Sequence, residues 1–290
     1  MPNWGVDWLV SIMAYQGLYQ GKVKPIIPYT KTRNRFYMGE KNPHLYVYKY
    51  MHFSLFRRCL GFDNSGNRDK AKQYIYFQEP SQWKDQYESR FYNADYQSAL
   101  SIDTEFTPRL YACCFANEKD SAAAWKIYEG SGDMDFCVQL KIGLKDLMAE
   151  LCQNIDYNFY EGLIDYSLSN YNINRLHLNN GKSKFRNFYN GRFKLENFLS
   201  LLLIKRKAFD FEKEFRIFMI PKDQNHAANL CLKVPINWDN CLRKIRVERR
   251  FSDQEHKYIQ ELKDCMAQIE IEPSDINEMR EKHIVFGAKE

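Results

Sequence analysis

Two glutamates separated by one residue are the sharpest chemical feature of the sequence. They are Glu212 and Glu214, in the segment FDFEKEFR at 209–216. Residues alternate through 209–220, which predicts a strand with Glu212, Glu214 and Arg216 on one face. Two such carboxylates can divide labour, because one can deprotonate a nucleophile while the other stabilises positive charge on a sugar. The structural alternative is a half-exposed strand with ordinary surface ion pairs.

An aromatic pair is the second candidate feature. Trp125 and Tyr128 lie three residues apart in the segment AAAWKIY at 122–128, so a helix places them on one face. They could stack on a flat ring, or they could pack into the core, as such pairs usually do. The sequence leaves both interpretations open.

Basic and aromatic residues interleave in the segment KSKFRNFYNGRFK at 182–194, which contains no acidic residue. Cations neutralise phosphates and aromatic rings stack on bases, so this pattern favours single-stranded nucleic acid. A solvated surface loop is an equal alternative. Two further basic runs follow at 205–207 and 243–250. The predicted nucleic-acid-binding residues of the first run are Lys182, Lys184, Arg186, Arg192 and Lys194.

Composition limits the class of protein. The chain has 290 residues, 44% of them hydrophobic and 27% charged, which predicts a folded protein with a packed core. The net charge of +5 decides nothing about partners by itself. Mean hydropathy is -0.60, and no apolar run approaches the roughly 20 residues of a membrane helix. We therefore expect no membrane association, and the N-terminal residues do not resemble a secretory signal.

The eight cysteines form no C-x-x-C pair and no compact cluster with the histidines. We expect reduced, mostly buried thiols in a cytoplasmic protein, and no metal site. The sequence also lacks a dinucleotide-binding glycine motif, a phosphate-binding P-loop, a zinc-protease motif and a serine-hydrolase elbow. Dehydrogenases, P-loop NTPases, zincins and serine hydrolases are thereby disfavoured.

Periodicity along the chain predicts more strands than helices, in mixed order, which indicates an α+β fold. Residues 1–43 predict an N-terminal helix followed by a basic, proline-containing connector at 22–41. Residues 44–290 predict a single α+β domain.

Short motifs along that domain occur in an order known from one bacterial family. They read YKY at 48–50, PSQWKDQYE at 80–88, CF at 114–115, WKIY at 125–128 and KRKAFDFEKEFR at 205–216. Together they resemble the family catalogued as domain of unknown function twenty-nine seventy-one. Two positions depart from its pattern, because Gln86 replaces a proline and Ala116 replaces a serine.

The layout is also similar to the ADP-ribosyltransferase superfamily. This resemblance implies a mixed, split β-sheet core flanked by helices, with NAD as the substrate. It implies that Lys49 or Tyr50 holds the NAD ribose, and that Tyr128, with Trp125, packs against the nicotinamide.

The same resemblance assigns the catalytic step to the two glutamates. Glu214 would stabilise the charge on the ribose through its 2′-hydroxyl, and Glu212 would position or activate the acceptor. Some enzymes of this kind are toxins that modify nucleic acid in phage-defence toxin–antitoxin systems. The resemblance therefore implies an RNA or single-stranded DNA acceptor and an antitoxin protein as a partner.

Two other functions remain open at this point. One is a non-catalytic nucleic-acid-binding or sensor module, which needs only phosphate and base contacts. The other is a nuclease with four carboxylates around Mg²⁺, a hard ion that prefers oxygen ligands. The four are Asp85, Glu88, Glu212 and Glu214.

Overall fold

The secondary structure is known from a computed structural model. It describes residues 35–38, 44–83, 85, 88, 109–119, 121–128, 136–166, 199, 202–223, 229–248 and 253–274, with only the backbone at 35–38 and 253–256. The strands are β1 Arg35–Met38, β2 Tyr46–His52, β3 Tyr74–Gln78, β4 Tyr111–Ala116, β5 Cys137–Gly143, β6 Tyr157–Leu163, β7 Glu214–Pro221, β8 Cys231–Pro235, β9 Leu242–Val247 and β10 Glu270–Pro273. The α-helices are α1 Phe53–Cys59, α2 Ala122–Ile127, α3 Leu144–Leu151, α4 Trp238–Cys241 and α5 Asp253–Cys265, with 3₁₀ helices at Lys70–Lys72, Pro80–Gln82 and Lys207–Glu212.

The α+β class predicted from the sequence is confirmed, and most strands pair antiparallel. At two segments the structure differs from the prediction. The connector expected at 22–41 contains strand β1, which pairs in parallel with β6 from Arg35 opposite Phe159 to Met38 opposite Gly162. Pairing gives the backbone groups of an extended segment hydrogen-bond partners. The second difference is the start of β7, at the candidate site.

The chain divides into two compact units. The first comprises Met1–Pro43, Tyr76–Cys114 and Cys152–Lys233, and the second comprises His44–Ile75, Phe115–Leu151 and Val234–Glu290.

In the first unit, neighbouring strands follow the order β1, β6, β7, β4, and β3 pairs with β4 and β8. Strands β6 and β7 pair antiparallel over seven positions, from Tyr157 opposite Pro221 to Leu163 opposite Phe215. All eight residues of β7 are buried, and the strand has hydrogen-bonded neighbours on both sides. A buried strand of this kind carries charged residues only if they are paired.

In the second unit, neighbouring strands follow the order β2, β5, β9, β10. Strand β5 places Val138, Leu140 and Ile142 in the core with no exposed surface. Helix α3 follows directly, and its apolar residues at positions i, i+3, i+4 and i+7 form one buried stripe. They are Leu144, Leu147, Met148 and Leu151.

All eight cysteines are free thiols, and five of them are buried, which confirms the expectation of mostly buried thiols. Within the part of the chain that the structure describes, no helix has the length and apolar character needed to cross a membrane. The N-terminal helix predicted before residue 22 lies outside the described residues.

Candidate active site

The segment that carries the two glutamates bends sharply between them. Lys207–Glu212 is a 3₁₀ helix, and Lys213 then adopts a left-handed conformation with φ of 43° before β7 begins at Glu214. The backbone N–H of Lys213 closes the turn by donating to the Asp210 carbonyl at 3.2 Å. The strand predicted at 209–220 is therefore wrong for its first half, and Glu212 and Glu214 do not share a strand face.

A buried lysine brings the two carboxylates together despite the bend. The Lys205 ammonium lies 2.5 Å from Glu212 Oε2 and 3.0 Å from Glu214 Oε2. A third carboxylate, that of Glu88, lies 3.0 Å from the same nitrogen. The backbone of Lys205 is held by its N–H, which donates to the Asp165 carbonyl at 3.1 Å. One ammonium thus joins the two neighbouring glutamates to Glu88, which is distant from them in the sequence.

Arg216, which is also fully buried, completes the charge cluster. Its guanidinium forks onto Glu214, with Nε donating to Oε1 at 2.7 Å and Nη2 donating to Oε2 at 3.0 Å. It also donates to the Leu202 carbonyl at 2.6 Å and to the Glu88 carboxylate, and it lies 4.1 Å from the Trp83 ring centroid. The surface ion pairs considered from the sequence are instead buried ones. We call Glu88, Lys205, Glu212, Glu214 and Arg216 the charge cluster.

The charge cluster sets the two glutamates apart electrostatically. Burial by itself would raise the pKa of Glu214, but the positive charges of Arg216 and Lys205 outweigh it and hold the pKa at about 2. Burial raises the pKa of Glu212 above its ordinary value, and Lys205 only partly offsets that effect. Glu214 therefore remains ionised to a lower pH, whereas Glu212 is protonated more readily.

Tyr166 is a site residue that the sequence did not reveal. Its hydroxyl accepts a hydrogen bond from the backbone N–H of Glu214 at 2.9 Å. Burial raises the pKa of this phenol, and the nearby charges of Glu214, Lys205 and Glu212 also act on it. The phenol thus stays protonated beside the two glutamates.

The four carboxylates considered for a Mg²⁺ nuclease do not form a shared oxygen site. Asp85 pairs with Arg206 at 3.0 Å. The other three surround the Lys205 ammonium, which stands where a divalent cation would be needed. Among the described residues, no group of three or more His, Cys, Asp or Glu side chains could hold a metal ion.

The second unit contains the aromatic candidates. Tyr50 and Trp125 meet edge to face, with ring centroids 5.4 Å apart. The Tyr50 hydroxyl accepts hydrogen bonds from the Ser121 backbone N–H at 3.0 Å and from Gln139 Nε2 at 2.5 Å. Trp125 is buried, so its core interpretation is confirmed. Within the described part of the chain, its indole N–H has no hydrogen-bond partner.

Tyr128 differs from Trp125 in its exposure. Helix α2 ends at Ile127, and Tyr128 is 38% exposed, with its ring 6.2 Å from that of His52. The ammonium of Lys49 lies 5.0 Å from the ring centroid of Phe115. Tyr128 is thus partly exposed, whereas Trp125 packs in the core.

The five predicted nucleic-acid-binding residues of 182–194 lie outside the described residues. The described part of the run at 243–250 is engaged in ion pairs. Arg243 pairs with Asp146 at 2.5 Å, and Lys244 and Arg246 both pair with Glu272, at 3.1 and 2.6 Å. These three cations already have acidic partners on the protein.

The chain matches no protein-family model, and no curated protein or solved structure is significantly similar to it.

Proposed function

We propose that this protein is an NAD-dependent ADP-ribosyltransferase that modifies a nucleic acid. The observation that carries the proposal is the pairing of Glu212 and Glu214 on one buried ammonium. Glu214 faces inward, whereas Glu212, with its side chain 24% exposed, reaches solvent. A carboxylate at the surface of a buried charge cluster suits proton transfer to or from a bound substrate.

The proposed reaction breaks the bond between C1′ of the ribose and the nicotinamide nitrogen. Nicotinamide leaves as a neutral base with the electron pair of that bond, and an oxocarbenium-like ribose remains. A nitrogen or oxygen of the acceptor attacks C1′, and its proton passes to the Glu212 carboxylate. The excess of carboxylates over cations in the charge cluster favours positive charge on the ribose.

The proposal takes from the resemblance the residues that it assigns to NAD. Exposed Tyr128 would stack on the nicotinamide, and buried Trp125 would support it. Lys49 or Tyr50 would contact the ribose. What supports the role of Tyr128 is its partial exposure.

The acceptor in this proposal is RNA or single-stranded DNA, and the biological role is that of a cytoplasmic toxin restrained by an antitoxin in phage defence. Support comes from the motif order and from the basic and aromatic residues at 182–194.

The test is incubation of the purified protein with labelled NAD and, separately, protein, DNA and RNA acceptors. We expect label on RNA or single-stranded DNA. Glu212→Gln should lower the transfer rate by about 100-fold, the scale for loss of one catalytic group. Asp210→Asn is the matched control, because Asp210 lies on the same 3₁₀ turn but pairs with Lys213 at 2.8 Å.

Each other outcome has a defined meaning. Nucleic-acid binding without any transfer would favour the non-catalytic module. Labelled protein without labelled nucleic acid would support the ADP-ribosyltransferase activity and contradict the nucleic-acid acceptor. Equal transfer by Glu212→Gln and wild type would remove Glu212 from the mechanism.

A further inference from the structure

The two glutamates differ in how many hydrogen bonds they can still accept. A carboxylate offers about four lone-pair sites. Glu214 already receives two bonds from Arg216 and one from Lys205. Its side chain is 7% exposed. Most of its acceptor positions are therefore filled, and burial keeps the carboxylate away from a substrate hydroxyl.

Glu212 has the opposite arrangement. Among the described residues, its side chain bonds only to the Lys205 ammonium, through Oε2. It is the most exposed member of the charge cluster, at 24%, whereas Lys205 is 8% exposed and Glu88 is 7% exposed. Only Glu212 can present an oxygen outward while the ammonium holds the other one.

Lys205 is held from the inside. Its ammonium has three protons, and three carboxylates lie within hydrogen-bond reach of the nitrogen. Two of these, Glu88 and Glu214, are themselves bonded to Arg216, so they form a rigid base under the lysine. Glu88 and Glu214 thus hold the Lys205 ammonium in place from the buried side. The ammonium in turn contacts Glu212 on its more exposed side.

We infer that Lys205 is a positioning residue that orients the Glu212 carboxylate toward substrate, while Glu88 and Glu214 orient Lys205 and do not contact substrate. The inference rests on the proposed function only for the identity of the reaction. It changes the role that the resemblance gives to Glu214, from ribose contact to support.

The inference predicts opposite responses of Glu212 to two variants. The groups whose charge acts on Glu212 are Lys205, which favours its ionised form, and Glu214 and Glu88, which oppose it; Tyr166 lies close by as a neutral phenol. Removing the lysine charge should therefore raise the pKa of Glu212. Removing the Glu88 charge should lower it.

The experiment is a ¹³C NMR titration of protein labelled at the glutamate carboxyl carbon, without NAD, with the Glu212 signal assigned through Glu212→Gln. Lys205→Met should raise the Glu212 pKa by about one unit or more, the scale for loss of an adjacent opposite charge. Glu88→Gln should lower it, and Lys205→Arg should keep it near the wild-type value. Lys213→Met is the control, because Lys213 pairs with Asp210 instead.

The titration remains decisive if Lys205→Met fails to fold, because Glu88→Gln carries the opposite prediction and removes the excess carboxylate. An unmoved Glu212 pKa in Glu88→Gln, or in folded Lys205→Met, would overturn the inference. The titration needs no enzymatic activity, so failure of the proposed reaction is a separate result. Where transfer is measured, Lys205→Met should lower kcat without raising KM, and Lys205→Arg should restore it.

Discussion

At the residue scale, the charge cluster gives two neighbouring glutamates opposite environments. Glu214 is enclosed by Arg216 and Lys205, and Glu212 reaches solvent from the same ammonium. Three carboxylates face two cations in this cluster. Each cation therefore helps to keep the carboxylates that it contacts ionised. Removing one partner of a buried ion pair is costly, because the remaining charge loses its compensation.

Glu214→Gln should lower the free energy of unfolding at pH 7 by about 3 kcal/mol, the lower end of the range for a broken buried pair. Glu88 and Glu212 still compensate the two cations, which is why the lower end applies. The pKa of Glu214 falls from 4.5 to about 2 on folding, so its contribution is present above pH 4.5 and is lost as pH falls towards 2.

Urea unfolding at several pH values between 7 and 2.5 measures this effect. The difference between wild type and Glu214→Gln should shrink as the pH falls below 4.5. Glu118→Gln, at an exposed position, should match wild type throughout. A Glu214→Gln variant as stable as wild type at pH 7 would contradict the prediction.

At the element scale, the turn before β7 sets the directions of the two glutamates. The left-handed conformation of Lys213 ends the 3₁₀ helix and starts the buried strand. A side chain in this conformation costs roughly 1–2 kcal/mol, because its Cβ crowds the following carbonyl. This conformational strain falls on Lys213, the residue between Glu212 and Glu214.

Lys213→Gly should therefore raise the free energy of unfolding by about 1 kcal/mol, since glycine has no Cβ to crowd. Lys213→Ala is the matched control, because it loses the same ion pair with Asp210 but keeps the Cβ. We expect Lys213→Ala to lie within about 0.5 kcal/mol of wild type, as for other exposed pairs. Thermal and urea unfolding of both variants measure the difference, and a glycine variant less stable than the alanine variant would rule out strain.

Helix α2 offers a second element-scale prediction. Tyr128→Ala should weaken NAD binding by roughly threefold to tenfold, the scale of one aromatic stacking contact, with little loss of stability. Ile127→Ala is the control, because Ile127 is 61% exposed and lies next to Tyr128. Calorimetric titration with NAD distinguishes the two. Equal affinity of both variants would remove Tyr128 from the NAD site.

At the scale of the whole molecule, the net charge of +5 arises from 42 basic and 37 acidic residues. The described cations of the run at 243–250 are paired with acidic side chains. Residues 182–194 contain no acidic residue at all, so this segment is the better candidate for phosphates. Long-range attraction of a polyanion depends on such local excess charge more than on the net charge.

Replacing Lys182, Lys184 and Arg186 with glutamine should flatten the slope of log affinity against log salt concentration by roughly two to three units, because fewer counterions are released. The measurement is fluorescence anisotropy with a single-stranded RNA at several salt concentrations. A triple glutamine variant of Lys70, Lys72 and Lys145, which are exposed residues, is the charge-matched control. Equal slopes for the two variants would leave 182–194 as a solvated loop.

Local patterns in the sequence were sufficient for some elements. Helix α2 lies within the segment 122–128 that helical spacing indicated, and β7 occupies the second half of the strand predicted at 209–220, because helical spacing and alternation are local properties. Glu212, Glu214, Trp125 and Tyr128 were likewise found by residue type and spacing. The interpretation failed at 207–213, where aromatic alternation resembles a strand and no local signal marks the left-handed Lys213.

Only the tertiary structure decided what those residues do to each other. Glu88 contacts Arg216 although 128 positions separate them in the sequence, and Glu88 also contacts Lys205. Residue spacing in the sequence does not predict such long-range contacts. Strand β7 is buried along its whole length, and the low local dielectric of a buried site strengthens the ion pairs of the charge cluster. Sequence thus determined the candidate carboxylates, and long-range packing determined that one is enclosed and the other presented, because burial and charge compensation are properties of the folded chain.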